Sequence, residues 1–280
     1  MTPAKLAKIV LLAILLIAAG SLFGSACEQV NQQYQLVLLL DRGFLYVLLW
    51  LVAAMATVAV TGGLVAALVR PLWVCAVAFV ASALAVFIAW EVSLASGVVT
   101  LIYLAVSLLY CRGVAEALDN RLKFSVEPIS GSQSTLLAGL AIAASASLYF
   151  GYATEIEERG FAFPTQLGET LSEITMAPIR AQIEDRTDLT SQEKDALVAQ
   201  AMEAFEEQWM TPMEESIQSY QSFVPWAIGF MLFQFLAVIN SLFSWIPIVM
   251  LAIIFPILAG LGMTGKVLET REVERLVIVE

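Results

Sequence analysis

The sequence predicts an all-α protein, a bundle of transmembrane helices that carries a small extramembrane helical insert. Of its 280 residues, 60% are hydrophobic and 14% are charged, whereas soluble domains have about 45 to 50% apolar and about 25% charged residues. Several apolar runs also reach the roughly 20 residues that a helix needs to cross a hydrocarbon core of about 30 Å. We therefore expect about seven spans, or six if the first segment is a cleaved signal.

The first segment, residues 1–26, carries Lys5 and Lys8 ahead of an apolar run that ends in small residues. Its length fits a retained first transmembrane helix, which is the interpretation we favour. Gly24 and Ala26 before Cys27 also fit a small-x-small cleavage site, so a secretory signal is a second interpretation and a lipid anchor on Cys27 a third. All three place residue 28 outside the membrane.

Residues 27–152 form the first part of the predicted bundle. Four apolar runs in this part qualify as spans, namely residues 43–69, 71–90, 92 or 97–110, and 134–152. Trp73 and Trp90 bracket the second run, about 26 Å apart along a helix, which suits an interfacial aromatic belt.

The segment at residues 111–133 interrupts these runs. Within it Val114, Leu118 and Leu122 recur at i+4 beside basic residues. This pattern predicts a break after Tyr110 and a short amphipathic helix on the cytoplasmic surface.

The fourth run contains small residues at a regular spacing. Gly139, Ala143 and Ser147 follow one another at i+4. Small residues at this spacing allow close helix approach in lipid, where apolar burial gives helices no reason to associate. They are candidates for a helix-packing face, although alanine-rich spans also contain such triplets by chance.

Two further runs, residues 224–243 and 246–263, complete the predicted bundle as a pair of transmembrane helices, and a charged tail follows at residues 264–280. We expect the N-terminus inside a cell membrane, and a prokaryotic cytoplasmic membrane in particular. Seven crossings then place the tail outside. The inner basic residues are Lys5, Lys8, Arg70, Arg112, Arg121 and Lys123, against an outer set of Arg42, Arg159, Lys266, Arg271 and Arg275. The inner set exceeds the outer set by one basic residue, so the positive-inside rule does not decide on which side of the membrane the tail lies.

Residues 153–223 interrupt the apolar pattern with a charged segment. They hold fifteen acidic and four basic residues, a net charge of −11, which equals the net charge of the whole chain. The excess negative charge therefore belongs to this one insert, which we expect outside the membrane. Such a charge argues against nucleic acid as a partner, because phosphate contacts need lysine and arginine.

The insert carries its own helix signals. Thr190 and Glu193 match a capping box that opens a helix. Behind it Leu197, Ala201, Phe205 and Trp209 recur at i+4 and form one apolar stripe, our candidate partner-binding surface. A second helix start is predicted at residues 211–214, and a break at Pro178 in an earlier helical segment at residues 166–184.

The residue inventory excludes much chemistry. The chain has no histidine and three cysteines without a CxxC pair, which removes His-ligated metals and Ser-His or Cys-His nucleophiles. We expect no enzyme activity, no cofactor and no metal, since the acids at Glu184, Asp185 and Asp188 match no calcium loop.

The sequence thus favours a non-enzymatic membrane protein that works as an assembly, accessory or partner-binding subunit. Its expected partners are the lipid bilayer and either a protein or a second copy of the chain. The alternative is a small-solute or ion transporter or channel, with Gln234, Asn240 and Pro256 near the pathway.

Overall fold

A computed structural model of the protein describes residues 3–34, 42–90, 92–119, 126–159, 165–185, 190–212, 216 and 220–265. These residues are almost entirely helical, as the sequence predicts. In chain order the α-helices are α1 (Pro3–Gln32), α2 (Arg42–Leu68), α3 (Leu72–Ile88), α4 (Leu94–Asp119), α5 (Glu127–Arg159), α6 (Thr165–Glu184), α7 (Ser191–Phe205), α8 (Val224–Phe243) and α9 (Trp245–Gly260).

Five of these helices, α1, α2, α4, α5 and α8, are long and apolar enough to cross a membrane. The apolar helices α3 and α9 are shorter, with 17 and 16 residues. Large apolar side chains are exposed on the outside of the bundle, among them Leu49, Ile88 and Leu101. A soluble protein rarely exposes so much apolar surface, so this outer face is suited to lipid.

Helix α5 lies at the centre of the bundle and packs against α1, α2, α4 and α8. Its 33 residues extend over about 50 Å, well beyond a hydrocarbon core of about 30 Å. Helix α1 packs in turn against α2 and α3. Alanine, serine and glycine on α5 let the surrounding helices approach closely, which is why one helix can have four neighbours.

The contacts fix the directions of the helices. Gly20 and Gly24 of α1 lie against Ser82 and Val86 of α3, so these two helices run parallel. Helix α4 runs antiparallel to α5, because Val106 lies on Gly139 and Gly113 on Ser132. Helix α3 runs antiparallel to α4, because Ser82 lies beside Tyr103 and Arg70 beside Asp119. Helix α2 turns back into α3, where Gly62 lies against Phe79. The first five helices therefore alternate in direction, and α5 ends at the opposite end of the bundle from the start of α1.

The structure corrects the predicted break after Tyr110. Helix α4 continues without interruption to Asp119, and Val114 and Ala115 are buried in the core rather than lying on a membrane surface. The apolar i+4 pattern therefore reflects burial within the bundle. Residues 120–125, with Leu122, lie outside the described residues.

The structure also corrects the predicted pairing of the last two helices. Only Ser244 separates α8 from α9, and its backbone is itself right-handed helical, with φ −57° and ψ −24°. Trp226 at the start of α8 packs on Tyr149 near the end of α5, whereas α9 ends beside Lys8 of α1. Helices α8 and α9 therefore run together from one end of the bundle to the other, because a single helical residue cannot reverse the chain.

The predicted break at Pro178 is likewise absent, since α6 runs through this residue to Glu184. Pro178 is exposed, so water can bond the carbonyl group that proline leaves without a donor. Of the helix start predicted at residues 211–214, Thr211 and Pro212 continue the preceding helical turn, and residues 213–215 lie outside the described residues.

Candidate functional site

The acidic insert is built on the packing of α6 against α7. Met176 of α6 is only 1% exposed, although it lies in this charged insert. At the edge, Ser172 Oγ lies 3.2 Å from Met202 Sδ. Lys194 Nζ donates to the carbonyl oxygen of Glu184 at 2.7 Å, and so connects the start of α7 to the end of α6.

The predicted capping box is confirmed at the start of α7. Thr190 N–H donates to Glu193 Oε2 at 2.8 Å, and the N–H of Glu193 donates to Thr190 Oγ1 at 3.4 Å. The Thr190 hydroxyl also donates to the same carboxylate at 2.7 Å. These hydrogen bonds stabilise the charged carboxylate and lower the pKa of Glu193.

The predicted apolar stripe remains partly uncovered in the α6–α7 pair. Leu197 is 36% exposed and Trp209 is 69% exposed, while Ala201 and Phe205 are half-buried. Trp209 lies in a π-helical turn, Glu206–Met210, that follows α7 directly. Because a π-helical turn is wider than an α-helical turn, Trp209 is displaced around the helix axis from the line of Leu197, Ala201 and Phe205. Such π-helical turns are frequent at functional sites.

Charge surrounds this stripe. In α7 and the π-helical turn, the acidic residues whose side chains the structure describes are Glu193, Asp195, Glu203 and Glu207, and the basic one is Lys194. An apolar ridge between carboxylates is suited to a protein surface that has its own apolar groups and a rim of lysine or arginine.

The small residues of α5 lie at its contacts with two other helices. A Cβ atom on Gly139 would meet the side chain of Val106 of α4, and Ala143 and Ser147 are fully buried. Asn31 of α1 donates from Nδ2 to the carbonyl oxygen of Ser147 at 2.9 Å. The small residues of α5 thus contact α4 at Gly139 and α1 at Ser147.

The three candidate pathway residues are not brought together. Gln234 and Pro256 are exposed on the outside of α8 and α9. Asn240 is half-buried and donates from Nδ2 to the carbonyl oxygen of Leu137 at 3.3 Å, a contact that holds α8 on α5. Their arrangement suits helix packing and lipid contact better than a common pathway.

Sequence reasoning missed a buried polar contact between three helices. Ser82 Oγ of α3 donates to the carbonyl oxygen of Leu16 at 2.9 Å, and it lies 2.7 Å from the hydroxyl of Tyr103. Both side chains are fully buried. The signal available in the sequence was Gly20-x-x-x-Gly24, a spacing typical of close helix pairs, of which we interpreted only Gly24, as part of a cleavage site.

Sequence reasoning also missed Gln133, which is 1% exposed in the interior of the bundle. Neither of its side-chain polar atoms has a hydrogen-bond partner among the described residues, and the same holds for the Tyr110 hydroxyl. The pairing of α4 with α5 places these two residues within one helical turn of each other along the bundle. Buried polar groups of this kind usually bind water or a ligand.

Comparison with protein-family models, with curated proteins and with solved structures finds no match to this chain.

Proposed function

We propose that this chain is a non-enzymatic membrane protein that uses its acidic helical insert to bind a protein partner, as an assembly or accessory subunit. The observation that carries the proposal is the apolar stripe of α7 and the π-helical turn after it, which α6 leaves partly uncovered. Exposure of Trp209 to water has a free-energy cost that burial against a partner would recover. An acidic surround favours a partner with a basic rim.

The proposed orientation has the N-terminus and the tail inside, and the insert outside, a cell membrane of the prokaryotic cytoplasmic type. Since α9 ends beside Lys8, the tail starts at the end of the bundle that holds the start of α1. The inner side then holds nine basic residues, Lys5, Lys8, Arg70, Arg112, Arg121, Lys123, Lys266, Arg271 and Arg275, against Arg42 and Arg159 beside the membrane on the outer side. This excess obeys the positive-inside rule, with six crossings and α1 retained as the first.

Photo-cross-linking in native membranes tests the partner-binding proposal. A photoreactive side chain is placed at Leu197 or at Trp209 in the full chain, and at Ala199 as the matched control. Ala199 is exposed on the same helix but about 200° from Leu197 around its axis. We expect one recurrent protein, either another chain or a second copy, to be captured from Leu197 and Trp209 and not from Ala199.

One further variant and the control define the outcome. Leu197→Glu should abolish capture from Trp209, because a carboxylate in an apolar contact opposes binding. If no recurrent protein is captured from the stripe, or if Ala199 captures the same protein equally well, the insert does not bind a partner through α7.

A second candidate function, transport of a small solute or ion, has one observation in its favour. Gln133 and the Tyr110 hydroxyl are buried polar groups without protein partners among the described residues, as expected for groups that face a hydrated path. In proteoliposomes, Gln133→Leu should then abolish uptake while the exposed substitution Gln234→Leu leaves it unchanged. The candidate is excluded if the purified chain moves no tested ion or small polar solute.

A further inference from the structure

The contact between α3 and α4 brings two cysteines together. Ser82 and Tyr103 bond to each other near the middle of this antiparallel pair, and Arg70 pairs with Asp119 at 3.6 Å at one end. Cys75 lies seven residues before Ser82, and Cys111 lies eight residues after Tyr103, which is about two helical turns in each case. The register therefore places the two cysteines opposite each other.

The surroundings of the two thiols agree with this register. Both cysteines are unoxidised and buried, with Cys75 at 0% and Cys111 at 4% exposure. The two side chains are neighbours, and Arg70, which pairs with Asp119, lies at the same end of the two helices. The thiolate is the species that attacks in disulfide formation; burial opposes its formation, and a nearby cation favours it.

The third cysteine is out of reach of this pair. Cys27 lies on α1 seven residues beyond Gly20, and Gly20 is level with Ser82. Since α1 and α3 run parallel, Cys27 is about 21 Å from Cys75 along the bundle axis. Cysteines whose Cα atoms are more than about 7 Å apart cannot be joined without moving the backbone.

We propose that Cys75 and Cys111 are an oxidisable pair that forms a reversible disulfide between α3 and α4. In this step the S–S bond forms as both S–H bonds break, and two electrons and two protons pass to a two-electron thiol oxidant such as an azodicarboxamide, which becomes the hydrazine. A short connection already joins α3 and α4 at their other end. The disulfide would also join the start of α3 to the end of α4, and so would prevent the two helices from separating.

The test uses the full chain in native membranes. Membranes are treated with the permeant oxidant diamide. The protein is then denatured, its free cysteines are alkylated, and its peptides are mapped by mass spectrometry under non-reducing conditions. We expect one alkylated cysteine, Cys27, after oxidation and three after subsequent reduction, together with a cross-linked peptide that contains Cys75 and Cys111.

Two variants control for position and for nonspecific oxidation. Cys27→Ser should form the same cross-link. The double substitution Val74→Cys with Cys75→Ser moves the thiol about 100° around α3 and should form none. The proposal is overturned if all three cysteines remain alkylatable after oxidation, if the cross-link includes Cys27, or if the displaced thiol cross-links to Cys111 as readily as the natural one.

Discussion

The ammonium group of Lys8 donates hydrogen bonds to the carbonyl oxygens of Gly262 and Met263, at 2.7 and 3.2 Å. These carbonyls follow the last turn of α9, where backbone oxygens have no partner within the helix. A cation at this position satisfies them and interacts favourably with the helix dipole. The contact therefore holds the beginning and the end of the described chain at one end of the bundle.

Replacing Lys8 with methionine should destabilise the end of α9. The methionine retains the apolar stem but donates no hydrogen bond, which we expect to cost about 1 kcal/mol. Hydrogen exchange of the purified protein should show faster exchange at residues 258–263. Lys5→Met, which alters an exposed lysine one turn earlier, serves as the control, and equal effects of the two substitutions would contradict a specific role for Lys8.

In the orientation that we propose, the direction of α8 and α9 places residues 5 and 266 on the inner face and the acidic insert on the outer face. In intact cells a membrane-impermeant maleimide should label Ala199→Cys, whereas Lys5→Cys and Lys266→Cys should react only after permeabilisation. The three natural cysteines are buried, so they contribute little background in the folded protein. An antiparallel α8–α9 pair would instead make Lys266→Cys react together with Ala199→Cys.

Gly20 of α1 should not tolerate a side chain. A Cβ atom there would lie 2.7 Å from the backbone oxygen of Ser82, and backbone cannot move aside as a flexible side chain can. Gly20→Ala should lower the free energy of unfolding by about 1 to 3 kcal/mol, measured by denaturant titration in detergent. Gly97→Ala is the matched control, because a Cβ atom at Gly97 meets nothing within 4 Å. A stable Gly20→Ala protein would show that α1 does not pack closely on α3.

The hydroxyl groups of Ser82 and Tyr103 should contribute unequally to stability. Ser82→Ala leaves the buried Tyr103 hydroxyl and the Leu16 carbonyl without this partner, and should cost about 1 to 3 kcal/mol. Tyr103→Phe leaves the Ser82 to Leu16 bond intact and should cost about 0.6 kcal/mol, the average for hydrogen bonds between membrane helices. The unfolding free energies of the two single variants measure the difference, and a double-mutant cycle adds the coupling between the two hydroxyl groups. Equal effects would mean that Ser82 does not link the three helices.

The capping box predicts a pH dependence at the start of α7. Hydrogen bonds from Thr190 lower the pKa of Glu193 in the folded state, so they stabilise the helix above the unfolded pKa of about 4.3. This stabilisation is lost as the pH falls through the lowered folded value. Hydrogen exchange at residues 191–196, corrected for the intrinsic rate, should lose protection in this acid range.

Substitution separates the capping box from general charge effects. Glu193→Gln retains the box but has no titrating carboxyl group, so its protection should no longer change with pH. Asp195→Asn removes a charge from the same first turn and should keep the pH dependence. If Asp195→Asn rather than Glu193→Gln removes it, the capping box is not the cause.

Several elements could be predicted from local sequence. The apolar runs indicated the transmembrane helices, and Thr190 with Glu193 indicated the start of α7 to within a residue. The first turn of a helix depends on neighbours in sequence, so a local pattern determines it. Gln133 could not be recognised in this way, because a single amide in an apolar run has the same sequence signature whether it faces lipid, another helix or the interior.

The sequence alone determined that this is an all-α protein with apolar helices long enough for a membrane and one acidic insert, because composition and helical periodicity decide where a segment is stable. Tertiary structure decided that α4 continues past Tyr110, that α8 and α9 run in one direction, and that the register of α3 on α4 places Cys75 opposite Cys111. Hydropathy reports how apolar a segment is and carries no information on its direction. Direction and pairing follow instead from contacts between residues far apart in sequence, such as Lys8 with Gly262 and Gly20 with Ser82.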